Sequence, residues 1–235
     1  FFKKIILGGE DVEVINENHP DLFNVQNMFT IKDLFNARVH YGHKISSLND
    51  NMKQYLFGSR LGHLIFDLDI TCQHLQKALN FTAHVAYQNG IILFISKNPR
   101  FTLVVEKTAV ACQEYAVTRE WNAFTFTGSY RVFENYIRLP DLCIFLNTLQ
   151  ENCEQHPAVK DAAKMCIPTI AITDTNCDPN LITFPVPGND DSIESINLYC
   201  KLFKNAILAG KNARKKKLSN DKNKGIPITD KLNID

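Results

Sequence analysis

The sequence predicts an α/β fold in which a doubly wound parallel sheet is flanked by helices. Two observations lead to this fold class. Short apolar runs recur along the chain, and segments with helical periodicity separate most of them. Strands spaced by helices of this length form parallel βαβ units. The chain has 235 residues, of which 45% are hydrophobic and 22% charged, and these values are typical of a globular protein.

The first predicted elements come before the regular alternation. A capping-box pattern at Thr30 begins a predicted helix that ends near Gly42. The run HLIFDL at 63–68 predicts a short buried strand. From Thr71 onward the apolar positions lie on one face of a long helix, which residues 89–90 (Asn-Gly) terminate.

Strands and helices then alternate. The predicted strands are 91–96 (IILFIS), 123–127 (AFTFT), 142–146 (LCIFL) and 168–173 (PTIAIT). The predicted helices are 101–113, 156–166 and 192–209, the last with Gly210 as its terminating residue. No linker divides residues 30–210, so we expect one domain there, preceded by an extension at 1–29 and followed by a tail at 211–235.

The tail concentrates positive charge. The net charge of the whole chain is +1, but residues 211–224 contain seven Lys or Arg and one Asp, which leaves −5 on the rest. A basic tail of this kind commonly meets phosphate or another anionic surface, although a solvated tail without a partner has the same composition. The longest unbroken run of aliphatic and aromatic side chains, 91–95, is far shorter than the roughly 20 residues that a membrane span needs, so we expect no membrane partner.

One motif favours an enzyme. Asp67 and Asp69 follow the first predicted strand as DxDxT, which resembles the opening motif of haloacid-dehalogenase-type phosphatases. In those enzymes the first Asp is the nucleophile, the second is a general acid/base, and the pair helps to hold magnesium. The run GNDD at 188–191 could serve as the distal acidic motif of that family. A magnesium-dependent phosphatase is therefore the alternative hypothesis.

Other features favour a structural role for these acids. Ile70 stands where the phosphatases usually have Gly, and the run FPVP at 184–187 has two prolines, which a central strand does not tolerate. Asp69 or Thr71 would then cap the following helix. Asp190 and Asp191 would be acids in the first turn of the last helix.

The sequence predicts no metal site and no cofactor. His40 and His43 are three residues apart, but Gly42 interrupts the helix that would align them and no third ligand is nearby. The cysteines form no CxxC pair, and GxGxxG, GxxxxGK[ST] and GxSxG motifs are absent. These absences remove the usual dinucleotide, P-loop and serine-hydrolase hypotheses.

A binding role fits the segment 38–60, RVHYGHKISSLNDNMKQYLFGSR. Its cations alternate with aromatic rings, and RNA recognition uses cations for phosphate and flat side chains for stacking. A solvated loop could have a similar composition. The cations and histidines concerned are Arg38, His40, His43, Lys44, Lys53 and Arg60.

Six collinear segments resemble the small-subunit ribosomal protein S-two family. They are ARVHYGHK (37–44), NMKQYLFGSRLGHLIFDLD (51–69), GIILFISKN (90–98), LPDLCIFLNT (139–148), AAKMCIPTIAITDTNCDPNLITFPVPGNDDS (162–192) and INLYCKLFKNAI (196–207). In that family DLDIT and GNDD belong to the pattern and have no catalytic role.

The resemblance implies a Rossmann-like parallel sheet in a protein that is not an enzyme and has no small-molecule substrate. Its partners would be small-subunit rRNA and neighbouring ribosomal proteins. Only about twenty residues separate Trp121 from Pro140, so the helical-hairpin insertion of bacterial members is missing. This loss, the sequence before ARVHYGHK and the basic tail resemble mitochondrial members and imply the mitochondrial ribosome in the matrix. The family's Gly-Gly step is missing near Ala123.

The resemblance assigns the main rRNA surface to the segment 38–60, with His43, Lys44, Lys53 and Arg60 as the foremost contacts. Charge alone adds a second set in the tail, which consists of Arg214, Lys215, Lys216 and Lys217. A free RNA-binding regulator that never joins a ribosome is a further alternative. The residues expected to hold loops in place are Asp174, Asn176 and Asp190.

Overall fold

A computed structural model describes residues 21–122, 125–129, 138–150 and 154–223. The α-helices of this part of the chain are α1 (Ile31–Asn36), α2 (Leu68–Tyr87), α3 (Thr102–Cys112), α4 (Pro157–Lys164) and α5 (Ile193–Asn223). The strands are β1 (Tyr41–Lys44), β2 (Leu56–Arg60), β3 (His63–Phe66), β4 (Ile92–Ile95), β5 (Tyr115–Val117), β6 (Leu142–Phe145), β7 (Thr169–Thr173) and β8 (Phe184–Pro187). No described helix combines the length and hydropathy that crossing a membrane requires.

The large sheet is parallel and has the order β5-β4-β6-β7-β8. Alternate residues of its strands face two separate cores. Ile144 and Ile170 pack with α2, α3 and α5, whereas Phe145 and Ala171 pack with α4 on the other face. Helices therefore cover both faces, which confirms the predicted doubly wound α/β fold.

The FPVP run forms β8 at the edge of the large sheet, where Pro185 pairs in register with Ala171 and Pro187 with Thr173. An edge strand tolerates proline because one side of its backbone needs no donors. The exclusion of a central strand at 184–187 was therefore correct, but the run is still a strand.

A second sheet precedes the large one. It is antiparallel, has the order β1-β3-β2, and is called the small sheet below. The predicted helix from Thr30 to Gly42 was wrong in its C-terminal half. It ends at Asn36, because Arg38 adopts a left-handed φ of 59° that no α-helix continues through, and residues from Tyr41 onward pair as β1.

The last helix also differs from its prediction. We expected it to end at Gly210, but α5 continues to Asn223. A side chain at Gly210 would overlap the main-chain oxygen of Ala83 on α2, so the glycine lets two helices approach closely and does not terminate one. Of the predicted strand at 123–127, Ala123 and Phe124 lie outside the described residues, and 125–127 form a turn.

Candidate nucleic-acid interface

Three basic side chains form a row across the small sheet. His63 on the central strand β3 pairs in register with Lys44 on β1 and with Arg60 on β2. All three residues are exposed to solvent. The central strand β3 therefore brings Lys44 and Arg60, which lie on two strands that do not pair with each other, to one surface. A row of this kind suits the phosphates of a nucleic acid.

The small sheet has a buried face and an open face. Leu64 and Phe66 on β3 are buried against the rest of the domain. Side chains alternate along a strand, so His63 and Ile65 lie on the opposite face, together with Arg60, the register partner of His63. We call this face the outer face. Its polarity and exposure leave it available to a partner.

The hairpin between β2 and β3 ends in exposed apolar side chains. Leu61 and Gly62 form its two-residue loop, with φ values of 51° and 78° that match the tight turn typical of hairpins. Leu61 is 93% exposed, and Phe57, at an irregularity in the pairing of β2, is 80% exposed. An aromatic ring left in solvent on a segment that also carries cations is typical of surfaces that stack on nucleotides.

Thr175, in the loop after β7, attaches the small sheet to the large one. Its hydroxyl accepts a hydrogen bond from the backbone N–H of His43 at 3.0 Å, and its carbonyl accepts one from Asn49 at 2.9 Å. Gly42 leaves room for this approach, because a Cβ there would collide with the Thr175 side chain. The small sheet is therefore held at a defined place beside the end of β7.

His43 itself bridges two carboxylates. Its Nδ1 lies 3.2 Å from Oδ1 of Asp174, and its Nε2 lies 3.3 Å from Oδ2 of Asp191. The hydrogen bond to the buried Asp174 raises the pKa of His43 to about 9, and the charges of Asp174, Asp191 and Asp190 add to this against the cost of burial. The ring is therefore a protonated imidazolium at neutral pH.

The loop before α5 is also fixed from within. The side-chain N–H of Asn189 donates to the main-chain carbonyl of Arg38 at 3.1 Å. The side-chain oxygen Oδ1 of Asn189 accepts from the main-chain N–H groups of Asp191 and Ser192. Burial and the nearby charge of Asp174 raise the pKa of Asp190 well above its usual range. The run GNDD thus builds a loop that holds the backbone of the 38–44 segment.

A metal ion would find three possible ligands here. The potential ligand atoms of His43, Asp174 and Asp191 all lie within 4.8 Å of one another. Both ring nitrogens of His43 already face a carboxylate, so the three side chains form a complete ion-pair network without a metal. His40 is not part of this group, and the carboxylates come from segments far along the chain.

The family of this chain follows from its likeness to known proteins. A family model described as ribosomal protein S2 matches residues 34–138 and 127–210. The chain belongs to the ribosomal protein S2 family. Small ribosomal subunit protein uS2m of Bos taurus is 52% identical over 197 residues, which cover 84% of this chain and 67% of that protein. This likeness confirms the mitochondrial type that the sequence suggested.

Bacterial members are more distant. Small ribosomal subunit protein uS2 of a Nitratiruptor species is 30% identical over 237 residues, covering 83% of this chain and 87% of that protein. The uS2 protein of Wolbachia pipientis wMel is 33% identical over 225 residues, covering 77% and 78%. The family relationship thus extends over most of the domain.

The predicted cations of this S2-family protein lie in different surroundings. Arg38, Lys44 and Arg60 are exposed. Lys53 is exposed as well, but its ammonium lies 2.8 Å from Oδ1 of Asp50. His40 is buried, and its ring stacks on Phe35 with centroids 4.6 Å apart. Burial lowers the pKa of His40, which makes its ring a weak partner for phosphate.

The basic tail residues continue α5. Arg214 is half-buried, and Lys215 and Lys216 are exposed. Lys217 lies over the ring of Tyr87 at 5.8 Å from its centroid. One turn before Arg214, Lys211 contacts the buried carboxylate of Glu114 and donates to the carbonyl of Cys112, which attaches this part of the helix to the end of α3. The tail cations are therefore presented from a fixed helix.

Of the two DxDxT acids in this S2-family protein, Asp67 caps a helix and Asp69 lies in the first turn of that helix. Asp67 caps α2 by accepting the N–H of Asp69 at 2.9 Å. The predicted caps were wrong, because Asp69 lies in the first turn and the Thr71 hydroxyl donates to the carbonyls of Asp67 and Pro187. Among the described residues, neither Asp67 nor Asp69 joins a group of three potential metal ligands.

The expected first-turn position of Asp190 and Asp191 was also wrong. Both precede α5, and the acid in its first turn is Glu194. The loop-fixing role expected for Asp174 agrees with its bonds to the N–H and hydroxyl of Thr175. Asn176 lies at the same place, with its amide 3.5 Å from Nε2 of His43.

Sequence reasoning did not select His63 or Leu61. His63 belongs to the basic row only through antiparallel pairing, which no local pattern predicted. The sequence did contain one signal for the hairpin between β2 and β3. Leu61-Gly62 lies between two short runs that contain apolar residues, and Gly in the second loop position is typical of a two-residue hairpin.

Proposed function

We propose that this protein is a structural constituent of the mitochondrial small ribosomal subunit in the matrix, and that the outer face of the small sheet binds rRNA. Membership in the ribosomal protein S2 family and the 52% identity to bovine uS2m support the structural role. The RNA-binding face depends on one observation, the row of Lys44, His63 and Arg60 across three strands. The protein would support translation as a scaffold and would catalyse no reaction.

Phosphate neutralisation is the physical basis of this binding. Each cation that contacts a phosphate releases a condensed counterion, so the affinity depends on salt concentration. Lys44 and Arg60 are exposed and belong to strands of a hydrogen-bonded sheet, so little conformational entropy is lost at the backbone when they bind. Arg38 and the tail cations Arg214, Lys215 and Lys216 would add further phosphate contacts.

Neighbouring ribosomal proteins are the second class of partner that we propose. Leu103 and Val110 on α3 are large apolar side chains that remain exposed outside the small sheet. They lie seven residues apart, and therefore on the same side of the helix. An exposed apolar pair of this kind is typical of protein contact surfaces.

Charge reversal at the basic row tests the proposal. The double variant Lys44→Glu with Arg60→Glu is expressed in cells, and its co-sedimentation with the small subunit is compared with that of the original chain. We expect incorporation to fall at least tenfold, since two phosphate contacts become repulsive. We expect stability to change little, because exposed charges contribute little to folding.

The matched control is Lys77→Glu with Lys160→Glu, which changes the net charge equally at exposed positions on α2 and α4. This control should incorporate normally. Normal incorporation of the Lys44/Arg60 variant would place the RNA-binding face elsewhere. Sedimentation of the original chain in a light ribonucleoprotein peak would favour the free RNA-binding regulator.

A further inference from the structure

Gly58 on β2 is a glycine that the fold itself does not require. Its φ lies outside the left-handed region, and a Cβ built on it meets no atom within 4 Å. The other glycines whose surroundings are described have an internal reason: a positive φ at Gly62, and a close neighbour at Gly42, Gly90, Gly188 and Gly210. Glycine inside a strand destabilises the fold relative to alanine, because its backbone loses more conformational freedom on folding. In a strand it often marks a place where another molecule approaches the backbone closely.

The open space above Gly58 belongs to the outer face. Gly58 pairs in register with Ile65, and Arg60 lies two residues further along the same strand. The exposed ring of Phe57 directly precedes Gly58, at the irregularity in the pairing of β2, where an extra residue interrupts the strict alternation of faces. The position therefore combines a bare stretch of strand, an aromatic ring and a guanidinium, the groups that stack on a base and bind its phosphate.

We propose that Gly58 marks a docking position for one unpaired base of small-subunit rRNA. The base lies flat over the strand at Gly58 and contacts Phe57, and the adjoining phosphates face Arg60 and Lys44. This inference rests on the proposed RNA-binding function and specifies which part of the RNA meets the sheet. An A-form duplex keeps its bases stacked inside and offers only sugars and phosphates to most proteins, so it would make no use of the space or the ring.

A steric substitution without a charge change tests this position. Gly58→Val adds a β-branched side chain that suits a strand, and its Cβ would meet no atom of the protein within 4 Å. The variant should therefore fold with at least the original stability. Its affinity for small-subunit rRNA should fall about tenfold, the equivalent of one lost stacking contact. Gly58→Ala, which adds a smaller group, should lose part of the rRNA affinity. This variant also keeps the proposal testable if Gly58→Val fails to fold.

The matched control is Ser59→Val, which adds bulk at the next exposed residue, on the opposite face of the same strand. It should bind like the original chain. The salt dependence separates the two contributions, because the slope of log affinity against log salt should be unchanged in Gly58→Val. It should become shallower in Lys44→Gln, which removes a phosphate contact.

Probing of rRNA bases with dimethyl sulfate in assembled subunits locates the contact. We expect the original chain to protect an unpaired base that becomes reactive in the Gly58→Val particle. Equal affinity and an identical protection pattern for both chains would overturn the docking position while leaving the proposed function intact. If the original chain neither bound small-subunit rRNA nor sedimented with the subunit, the proposed function would fail, and this inference with it.

Discussion

The imidazole of His43 lies between the carboxylates of Asp174 and Asp191, with Nδ1 3.2 Å from the first and Nε2 3.3 Å from the second. The histidine belongs to β1, whereas Asp174 directly follows β7 and Asp191 lies between β8 and α5. One protonated ring thus joins the small sheet to the carboxyl edge of the large sheet. The orientation of the proposed RNA-binding face depends on this connection.

We predict that this connection weakens in alkaline solution. The pKa of His43 is about 9 in the folded protein, against about 6.5 in an unfolded chain. The stabilisation is therefore fully present below pH 6.5 and is lost as the pH rises through 9. The ring is about one-third exposed, so after allowance for solvent screening we expect a loss of about 1–2 kcal/mol.

Urea unfolding between pH 6 and pH 9.5 measures this loss. His43→Gln should remove the decline over that interval, because glutamine does not titrate. His63→Gln, at an exposed histidine of the same sheet, is the control and should keep the original pH dependence. A His43→Gln profile that runs parallel to the original one would contradict the prediction.

Gly210 should be required for the packing of α5 on α2. In an exposed helix Gly→Ala stabilises by about 1 kcal/mol. Here the added methyl group would overlap the main-chain oxygen of Ala83, so we expect Gly210→Ala to reduce the free energy of unfolding by about 1–3 kcal/mol. Asn212→Ala, at an exposed position of the same helix, should be neutral or slightly stabilising. Thermal denaturation of the original chain, Gly210→Ala and Asn212→Ala shows whether each substitution raises or lowers the stability, and a Gly210→Ala protein as stable as the original would contradict the prediction.

Asp67 should behave as a helix cap. Asn is as good a cap as Asp, so Asp67→Asn should stay within a few tenths of a kcal/mol of the original stability, whereas Asp67→Ala should lose about 1 kcal/mol. We also expect no magnesium-dependent hydrolysis of p-nitrophenyl phosphate by any of the three proteins. Hydrolysis by the original chain that Asp67→Asn abolished would restore the phosphatase hypothesis.

The elements that the sequence predicted well have strong local patterns. The helix α2 shows a long one-sided apolar stripe, and β4, β6 and β7 are continuous apolar runs, as expected for strands buried on both faces. The strands β1 and β2 were missed. They are short and largely exposed, so they show neither alternation nor an apolar run, and only pairing with β3 makes them strands.

In the candidate site, too, the sequence identified some of the residues but not their arrangement. The residues Lys44 and Arg60 were selected from the composition of their segment and the family resemblance, but their alignment in one row follows from the register with His63. His40 had the same local appearance as His43, yet one ring is buried against Phe35 and the other is ionised between two acids. Nothing within a few residues of either histidine distinguishes them.

The amino-acid sequence by itself determined the α/β class, the parallel sheet, most of its helices and the family, because periodicity and characteristic segments are properties of neighbouring residues. Tertiary structure alone decided the partners of His43, the continuation of α5 past Gly210 and the exposure of Gly58. Each of these depends on which distant segments come within a few ångströms of one another. Electrostatic and steric forces act through those short distances in space, whatever the separation along the chain.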